Sequence, residues 1–297
     1  MSYLLNASTR AIDLLRINGS TQVCAVIGDP IEHTLSPTIH NAAFKRQKMD
    51  LVYVAFRVRK RDLQAAIEGL RSLGVLGINI MMPHKSRVIR FLDWIDRTAQ
   101  EIGAVNTVVG KKATLHGYNT DGEGALRALS QLGSLSGRKA LILGAGGAAK
   151  AIAYYLSKSA ETIVILNRTP SNGARLASRI TEWSGIASRS CALSRKNLAR
   201  EARGADLLIN TLPVHVFAPL GKLVLQDGVV TQNKLVMDVN YTSESQFLTE
   251  AKQAGAKTID GLEMLIQQAG LSFKLWTGQE APIEAMRQAA IEERTSR

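Results

Sequence analysis

Short apolar runs alternate with stretches of helical periodicity along most of the chain. Such runs are typical of strands buried in a parallel sheet, and the stretches between them are typical of amphipathic helices. The alternation predicts an α/β fold with two α/β domains, each containing a mainly parallel sheet. The predicted strands lie near residues 23–27, 51–58, 77–82, 102–109, 141–143, 162–166, 206–210 and 235–240. The predicted helices lie before about residue 20, at 63–73, 172–183 and 245–254, and from 261 to the chain end.

A glycine-rich turn lies at the centre of this pattern, between an apolar run and a helix of small residues. Gly144, Gly146 and Ala149 fit the pattern G-x-G-x-x-A, in which the first position makes a tight turn and the second lets the backbone approach a pyrophosphate. The helix N-terminus supplies further N–H donors. Because a second apolar run follows at βαβ spacing, we interpret the turn as a nucleotide-binding site. Its predicted cofactor-binding residues are Gly144, Ala145, Gly146, Gly147 and Ala148.

The residues after the second apolar run indicate which nucleotide binds. NAD sites usually have an acidic residue at this point for the ribose hydroxyls, whereas NADP sites tend to have an arginine for the 2′-phosphate. This chain has Asn167, Arg168 and Thr169 there, without a carboxylate. A guanidinium and a hydroxyl suit a phosphate dianion. A solvated arginine on a surface loop is the alternative, but the position at a strand end favours NADP over NAD.

The composition fits a soluble α/β protein, with 45% hydrophobic and 5% aromatic residues among 297. No apolar run approaches the roughly 20 residues of a membrane helix, and the first residues lack the features of a signal peptide. Because Cys24 and Cys191 are the only cysteines, we expect no disulfide framework and a cytoplasmic location. The net charge of +12 is dispersed. We therefore prefer a solvated basic surface that attracts small anions to a nucleic-acid site.

Two hydroxyl residues, Thr34 and Ser36, precede a predicted helix that starts at Pro37. Ser36 suits the N-cap position, and capping alone could explain it. The two hydroxyls beside a helix N-terminus also suit a carboxylate ligand. Asn79 lies inside an apolar run, where a buried amide needs hydrogen-bond partners. The histidines show no ligand spacing, so we expect no metal.

Seven stretches, taken in order, resemble the shikimate dehydrogenase family across nearly the whole chain, from about residue 23 to 278. They are residues 28–41, 77–85, 103–107, 117–124, 144–150, 167–169 and 261–269. The resemblance implies a substrate-binding catalytic domain formed by both chain ends, residues 1–120 plus 261–297. It implies an inserted Rossmann-type NADP-binding domain over residues 121–260. The implied reaction is reversible hydride transfer between NADPH and 3-dehydroshikimate, giving shikimate for chorismate and aromatic amino acid biosynthesis.

The resemblance also implies roles for single residues. Lys85 and Asp121 would be the catalytic pair, with Lys85 exchanging the proton that the ketone oxygen gains as hydride arrives. Considered alone, Lys85 would more often be a solvated lysine and Asp121 a helix cap. The implied substrate-binding residues are Thr34 and Ser36 for the carboxylate, Asn79, Asn106 and Gln268 for ring hydroxyls, and Tyr241 near the carboxylate end; Gly261 joins the cofactor-binding residues.

The chain departs from the family pattern at five positions. Met81 replaces a threonine and so removes a hydroxyl donor, while Thr34 replaces a serine and adds a methyl group. Leu212 and His215 replace a threonine and a glycine in a cofactor loop, and Asn172 replaces a basic residue. Losing a donor can redirect specificity. Quinate or another cyclic hydroxy acid as substrate, use of NAD, a non-catalytic sensor, and a monomer or homodimer all stay open.

Overall fold

The computed structural model describes residues 17–213, 216, 229–241 and 245–296 of the 297-residue chain. Two sheets of six strands each organise these residues. Most of the helix predicted before residue 20 lies outside the described residues. Across the described ranges, no helix is both long enough and apolar enough to cross a membrane.

The first sheet is built between residues 22 and 118. Its strands are β1 (Gln22–Gly28), β2 (Leu51–Arg57), β3 (Gly77–Ile80), β4 (Trp94–Ile95), β5 (Thr107–Lys111) and β6 (Thr114–Tyr118). The helices of this part are α1 (Ser36–Arg46), α2 (Leu63–Ser72) and α3 (Arg97–Ile102); the next helix, α4 (Asp121–Ser130), packs on the core of the second sheet. The strand order is β2-β1-β3-β5-β6-β4. β1 is parallel to β2 and β3, and β4 is parallel to β6, whereas β5 is antiparallel to both β3 and β6.

The strand predicted over 102–109 forms only from Thr107 onwards. Because this strand is antiparallel to both of its neighbours, the first sheet is mixed. Residues Arg97–Ile102 are helical instead, and the helix ends at Gly103, whose φ of 71° is left-handed and favours glycine. β5 therefore starts only at Thr107 and turns back into β6 as a hairpin, antiparallel to β3. Asn106, immediately before β5, accepts a hydrogen bond through its carbonyl from the backbone of Ile80 at the end of β3. A polar residue is thereby placed at a strand end.

The second sheet is parallel throughout. Its strands are β7 (Lys139–Leu143), β8 (Thr162–Asn167), β9 (Ala187–Ala192), β10 (Leu207–Asn210), β11 (Leu235–Asp238) and β12 (Lys257–Asp260). Its helices are α5 (Gly147–Leu156), α6 (Pro170–Ser184), α7 (Arg195–Gly204) and α8 (Gln246–Gln253). In the order β12-β11-β10-β7-β8-β9, the direction of winding changes at β7. Ligands of such sheets bind outside the carboxyl ends of the strands at this switch point, which the glycine-rich turn occupies.

The last two helices return to the first sheet. α9 (Gly261–Thr277) and α10 (Ile283–Ser296) pack against α1. The indole of Trp276 donates a hydrogen bond to the Val108 carbonyl, with a nitrogen–oxygen distance of 3.0 Å. Phe273 is fully buried against Phe44, with ring centroids 5.7 Å apart. α9 also lies along α4, which leads the chain towards the second sheet. The predicted α/β architecture with an inserted Rossmann-type unit is confirmed.

Candidate active site

Lys85 and Asp121 form an ion pair, with 2.6 Å between Lys85 Nζ and Asp121 Oδ2. The Asp121 side chain is 6% exposed and that of Lys85 22%. Asp121 is the first residue of α4, whose N-cap residue is Thr120, so its carboxylate does not act as the helix cap. A buried carboxylate is stable only with partners that compensate its charge. The structure therefore brings the predicted pair together at the start of α4.

Asn106 holds the other oxygen of the same carboxylate. Its Nδ2 lies 2.9 Å from Asp121 Oδ1 and 3.1 Å from Gln268 Oε1. Its Oδ1 accepts a hydrogen bond from the backbone N–H of Thr120 at 2.7 Å. Gln268 reaches this point because α9 and α4 approach closely at Gly124, where a Cβ would lie 2.7 Å from the Cβ of Gln268. Of the two predicted amides, Asn106 thus contacts Asp121 directly and Gln268 contacts Asn106.

Asn79 is the centre of a buried hydrogen-bond network. Its Nδ2 lies within 3.2 Å of the Asn106 carbonyl and of the hydroxyls of Thr107 and Ser272, and its Oδ1 accepts from Tyr53 at 2.7 Å. The protein itself thus supplies partners for both ends of this amide. Sequence reasoning missed Thr107, Ser272 and Tyr53. Ser272 could have been found, because it lies one helical turn after Gln268 and shares its face.

Thr34 and Ser36 lie together at the start of α1. Both are buried, and the Thr34 hydroxyl donates to Ser36 Oγ at 3.2 Å. The predicted N-cap was wrong by one residue: Leu35 occupies that position and Ser36 begins the helix. The N-cap residue makes no side-chain hydrogen bond, and the Ser36 N–H donates to the Thr34 hydroxyl at 3.3 Å. Burial raises the pKa of Tyr53 well above its usual range, and a hydrogen bond with Ser36 acts against this rise. Tyr53 therefore stays a neutral partner of the hydroxyl pair.

Tyr241 follows β11 and is partly buried against an apolar cluster that includes Ile31 and Leu35. The same cluster packs against Met81. Tyr241 also lies close enough to Tyr53 to raise its pKa, and Tyr53 has a hydrogen bond with Ser36, so Tyr241 lies on the side of the hydroxyl pair.

The glycine-rich turn has room for a ligand and lies beside Lys85. Gly144 has a φ of 110°, and a Cβ there would overlap the hydroxyl of Thr211. No atom lies within 4 Å of a Cβ built on Gly146, which is the N-cap residue of α5 and leaves the helix without a side-chain cap. A Cβ on Gly147 would lie 3.6 Å from Lys85 Cδ. The open N-terminus of α5 fits a pyrophosphate beside the lysine.

Asn167, Arg168 and Thr169 connect β8 to α6. Asn167 Nδ2 donates to the Thr169 carbonyl at 2.9 Å, which shapes the turn. Thr169 is the N-cap residue of α6 and makes no side-chain cap. Arg168 is exposed and has no acidic partner within the part of the chain that the structure describes. A free guanidinium at a helix N-terminus fits a phosphate group.

Two further loops meet beside the turn. The hydroxyl of Thr211 donates to the Leu143 carbonyl at 2.7 Å, and the amide of Asn240 donates to the Leu212 carbonyl at 3.0 Å. Asp238 Oδ1 accepts from both Asn210 and Asn240. Gly261 touches this region: a Cβ there would overlap the carbonyl of residue 239, so only glycine fits. Of the departures in this loop, Leu212 is buried, whereas His215 lies outside the described residues.

Among the described residues, no group of three or more His, Cys, Asp or Glu side chains is placed to hold a metal ion. The charged and polar groups of the site are therefore those of the pair, the amides and the hydroxyls. Together they can exchange a proton with a hydroxyl and bind a carboxylate, next to a dinucleotide-binding turn.

Three family models match the chain. They describe a shikimate dehydrogenase substrate binding domain over residues 26–108, shikimate / quinate 5-dehydrogenase over residues 127–211, and the shikimate 5′-dehydrogenase C-terminal domain over residues 261–291. Shikimate dehydrogenase (NADP(+)) of Methanopyrus kandleri is 42% identical over 282 residues, with 93% of this chain and 97% of the relative covered.

Two solved structures have the same fold. Shikimate 5-dehydrogenase from Thermus thermophilus, in complex with NADP(H) and shikimate, gives a TM-score of 0.79 at 33% identity, covering 91% of this chain and 99% of that one. Quinate dehydrogenase from Corynebacterium glutamicum, in complex with NAD, gives a TM-score of 0.82 at 27% identity, covering 92% and 99%. The likeness extends over both sheets in each case.

Two glycine substitutions separate folding from cofactor binding at the turn. Gly144→Ala should lower the free energy of unfolding by about 1–3 kcal/mol, because the left-handed φ and the Thr211 hydroxyl both oppose a Cβ. Gly146→Ala is the matched control: it has room for a Cβ, so stability should hold while the methyl group obstructs a pyrophosphate. Thermal unfolding and NADP⁺ titration measure the two effects. Equal loss of stability in both variants would contradict this assignment.

Proposed function

This chain belongs to the shikimate dehydrogenase family, and we propose that it interconverts shikimate and 3-dehydroshikimate with NADP, using Lys85 and Asp121 as its proton-transfer pair. One observation carries the proposal. Lys85 Nζ lies 2.6 Å from Asp121 while its side-chain stem lies beside the glycine-rich turn at Gly147. The group that exchanges the proton and the turn that holds the dinucleotide are thus neighbours, as hydride transfer to a ketone requires.

Lys85 and Asp121 transfer the proton to and from the reacting oxygen. When bound, NADP supplies or accepts the hydride. As the ketone of 3-dehydroshikimate becomes an alkoxide, the Lys85 ammonium donates a proton to it; in the reverse direction the neutral amine accepts one. Asp121 keeps Lys85 in place through Oδ2, and Asn106 fixes Oδ1, so the carboxylate cannot rotate away. Holding the two groups in this geometry lowers the entropic cost of reaching the transition state.

The substrate is held by neutral donors around the pair. Thr34 and Ser36, at the uncapped N-terminus of α1, bind the carboxylate through two hydroxyls and the helix N–H groups. Tyr241 closes this end. Asn106 and Gln268 face the ring hydroxyls from the side of Asp121. Asn79 supports Asn106, because its Nδ2 donates a hydrogen bond to the Asn106 carbonyl.

The cofactor is held by residues of the second sheet. The residues of the turn, Gly144, Ala145, Gly146, Gly147 and Ala148, receive the pyrophosphate at the start of α5. Asn167, Arg168 and Thr169 bind the 2′-phosphate, and Gly261 lies under the loop beside the nicotinamide half. Asn172 supplies no positive charge, so NAD is a possible second cofactor. Arg168 nonetheless favours NADP, because its guanidinium lacks an acidic partner within the described ranges.

We place the domain boundaries at residues 120/121 and 260/261. Strands of the first sheet end at Tyr118 and strands of the second end at Asp260, which supports both boundaries. The substrate-binding domain then comprises residues 1–120 plus 261–297, and the NADP-binding domain comprises 121–260. The free thiols of Cys24 and Cys191 suit a reducing cytoplasm.

A substrate-by-cofactor matrix tests the function. Purified protein is given shikimate or quinate, each with NADP⁺ or NAD⁺, and nicotinamide absorbance is followed. We expect shikimate with NADP⁺ to be the best combination, and Lys85→Ala to lower kcat by about 10²–10⁴-fold because the general acid is lost. Lys111→Ala, which removes an exposed lysine at the end of β5, is the control. Turnover of quinate alone would favour the quinate-using paralogue, and ligand binding without turnover would favour a sensor.

Met81 offers a second test, of specificity. Met81→Thr should raise kcat/KM for shikimate by about tenfold, because a hydroxyl donor returns to a site built to bind hydroxyls. The matched control is Met49→Thr, which makes the same exchange in a partly buried methionine packed on the same apolar cluster. If kcat/KM for shikimate does not rise, Met81 does not limit turnover.

A further inference from the structure

A second contact joins the two sheets away from the proton-transfer pair. α3, which lies between β4 and β5 in the sequence, packs against α5, which belongs to the second sheet. The buried residues at this contact are Ile102, Ala104, Ala151 and Tyr154. We call the polar part of it the Glu101 clasp, formed by Glu101 on α3, Tyr154 on α5 and Arg179 on α6.

The clasp consists of two hydrogen bonds to one residue. The Tyr154 hydroxyl donates to Glu101 Oε2 at 2.6 Å, and the Arg179 guanidinium donates to the Glu101 carbonyl. Arg97 Nε donates to the other carboxylate oxygen at 3.1 Å. The hydrogen bond from Tyr154 lowers the pKa of Glu101, and burial raises the pKa of Tyr154. At neutral pH the donor thus keeps its proton and the acceptor keeps its charge, which gives a strong hydrogen bond.

Aromatic packing fixes Tyr154 in this position. The residue is 8% exposed, and its ring meets those of Tyr155 and Trp183 edge-on, with centroids 5.5 and 5.2 Å away. Lys158 Nζ lies 4.4 Å above the Tyr154 ring, and the Arg179 guanidinium lies 5.2 Å from the Trp183 ring. Such contacts hold the ring in place, and the Thr98 side chain is a second hydrogen-bond partner of the hydroxyl.

The clasp adjoins the chain segment that builds the catalytic centre. Five residues after Glu101 comes Asn106, which holds Asp121. In between, the Val105 N–H donates to the Lys85 carbonyl at 2.8 Å, and the Ala104 carbonyl accepts from Asn119. The same helix α5 that carries Tyr154 begins at the glycine-rich turn. One contact thus links the cofactor helix to the backbone that positions both catalytic residues.

We propose that Glu101 and Tyr154 are positioning residues for hydride transfer, and that their hydrogen bond sets the placement of the glycine-rich turn relative to Lys85 and Asp121. This inference rests on the proposed function. Shikimate contacts come mainly from the first sheet and cofactor contacts from the second, so neither ligand needs the clasp in order to bind alone. Only hydride transfer, which requires both ligands to be correctly placed relative to each other, depends on the clasp.

The test measures the chemical step directly. NADPH and 3-dehydroshikimate are mixed with excess enzyme, and NADPH absorbance is followed in a single turnover. Tyr154→Phe and Glu101→Ala should each lower the single-turnover rate constant by about three- to tenfold. This is less than the ~100-fold loss that a 1 Å misplacement can cause. Because the hydrogen bond between Tyr154 and Glu101 is lost in both variants, the double variant should be no slower than the slower single variant. Binding of NADP⁺ alone and of shikimate alone should stay unchanged.

The matched control is Tyr155→Phe, which removes a hydroxyl from the next ring on α5 and should keep the wild-type rate constant. A purely structural role of Tyr154 would reduce the fraction of molecules that bind NADP⁺ in a titration, which counts folded sites, and leave the rate constant at saturating enzyme intact. An unchanged rate constant in Tyr154→Phe, or multiplied effects in the double variant, would overturn the proposal. If the wild-type enzyme turns over in the same experiment, the proposed function holds. An unchanged rate constant in Tyr154→Phe would then contradict only the proposal about the clasp.

Discussion

The rest of the site depends on how the buried carboxylate of Asp121 is held. Lys85 binds one oxygen and Asn106 the other, at 2.6 and 2.9 Å. Because the side chain is almost fully buried, either partner alone would leave charge or polar groups uncompensated. The ion pair therefore does more than stabilise the fold. It holds the Lys85 ammonium beside the amides and the cofactor turn, where the proposed function places the reacting hydroxyl.

Close helix packing makes this arrangement possible, and glycines in α4 permit the packing. A Cβ at Gly122 would lie 2.5 Å from the Ala151 carbonyl of α5, and a Cβ at Gly124 would lie 2.7 Å from Gln268 of α9. α4 thus contacts α5 on one side and α9 on the other, with Asp121 at its start. The Glu101 clasp adds a second contact between the same two parts of the molecule.

Much of the fold was predictable, because buried parallel strands such as β7, β8 and β10 are marked by apolar runs and the turn after β7 by its glycines. The hairpin that makes the first sheet mixed was not, since its strands are short and polar at their ends. The proton-transfer pair was found only through the family resemblance. Ser272 could have been found from its spacing to Gln268, but Tyr53 carries no sequence signal of its own, because a single hydroxyl residue acquires a role only from distant neighbours in the fold.

A crystal structure of the ternary complex with shikimate and NADP⁺ tests the central claim most directly. The account predicts that one ring hydroxyl lies within hydrogen-bond distance of both Lys85 Nζ and Asp121, on the side that faces the nicotinamide. The Asn106 contact with Asp121 should persist. A substrate bound with its carboxylate away from Thr34 and Ser36, or a Lys85 that turns from Asp121 without reaching the substrate, would contradict the account.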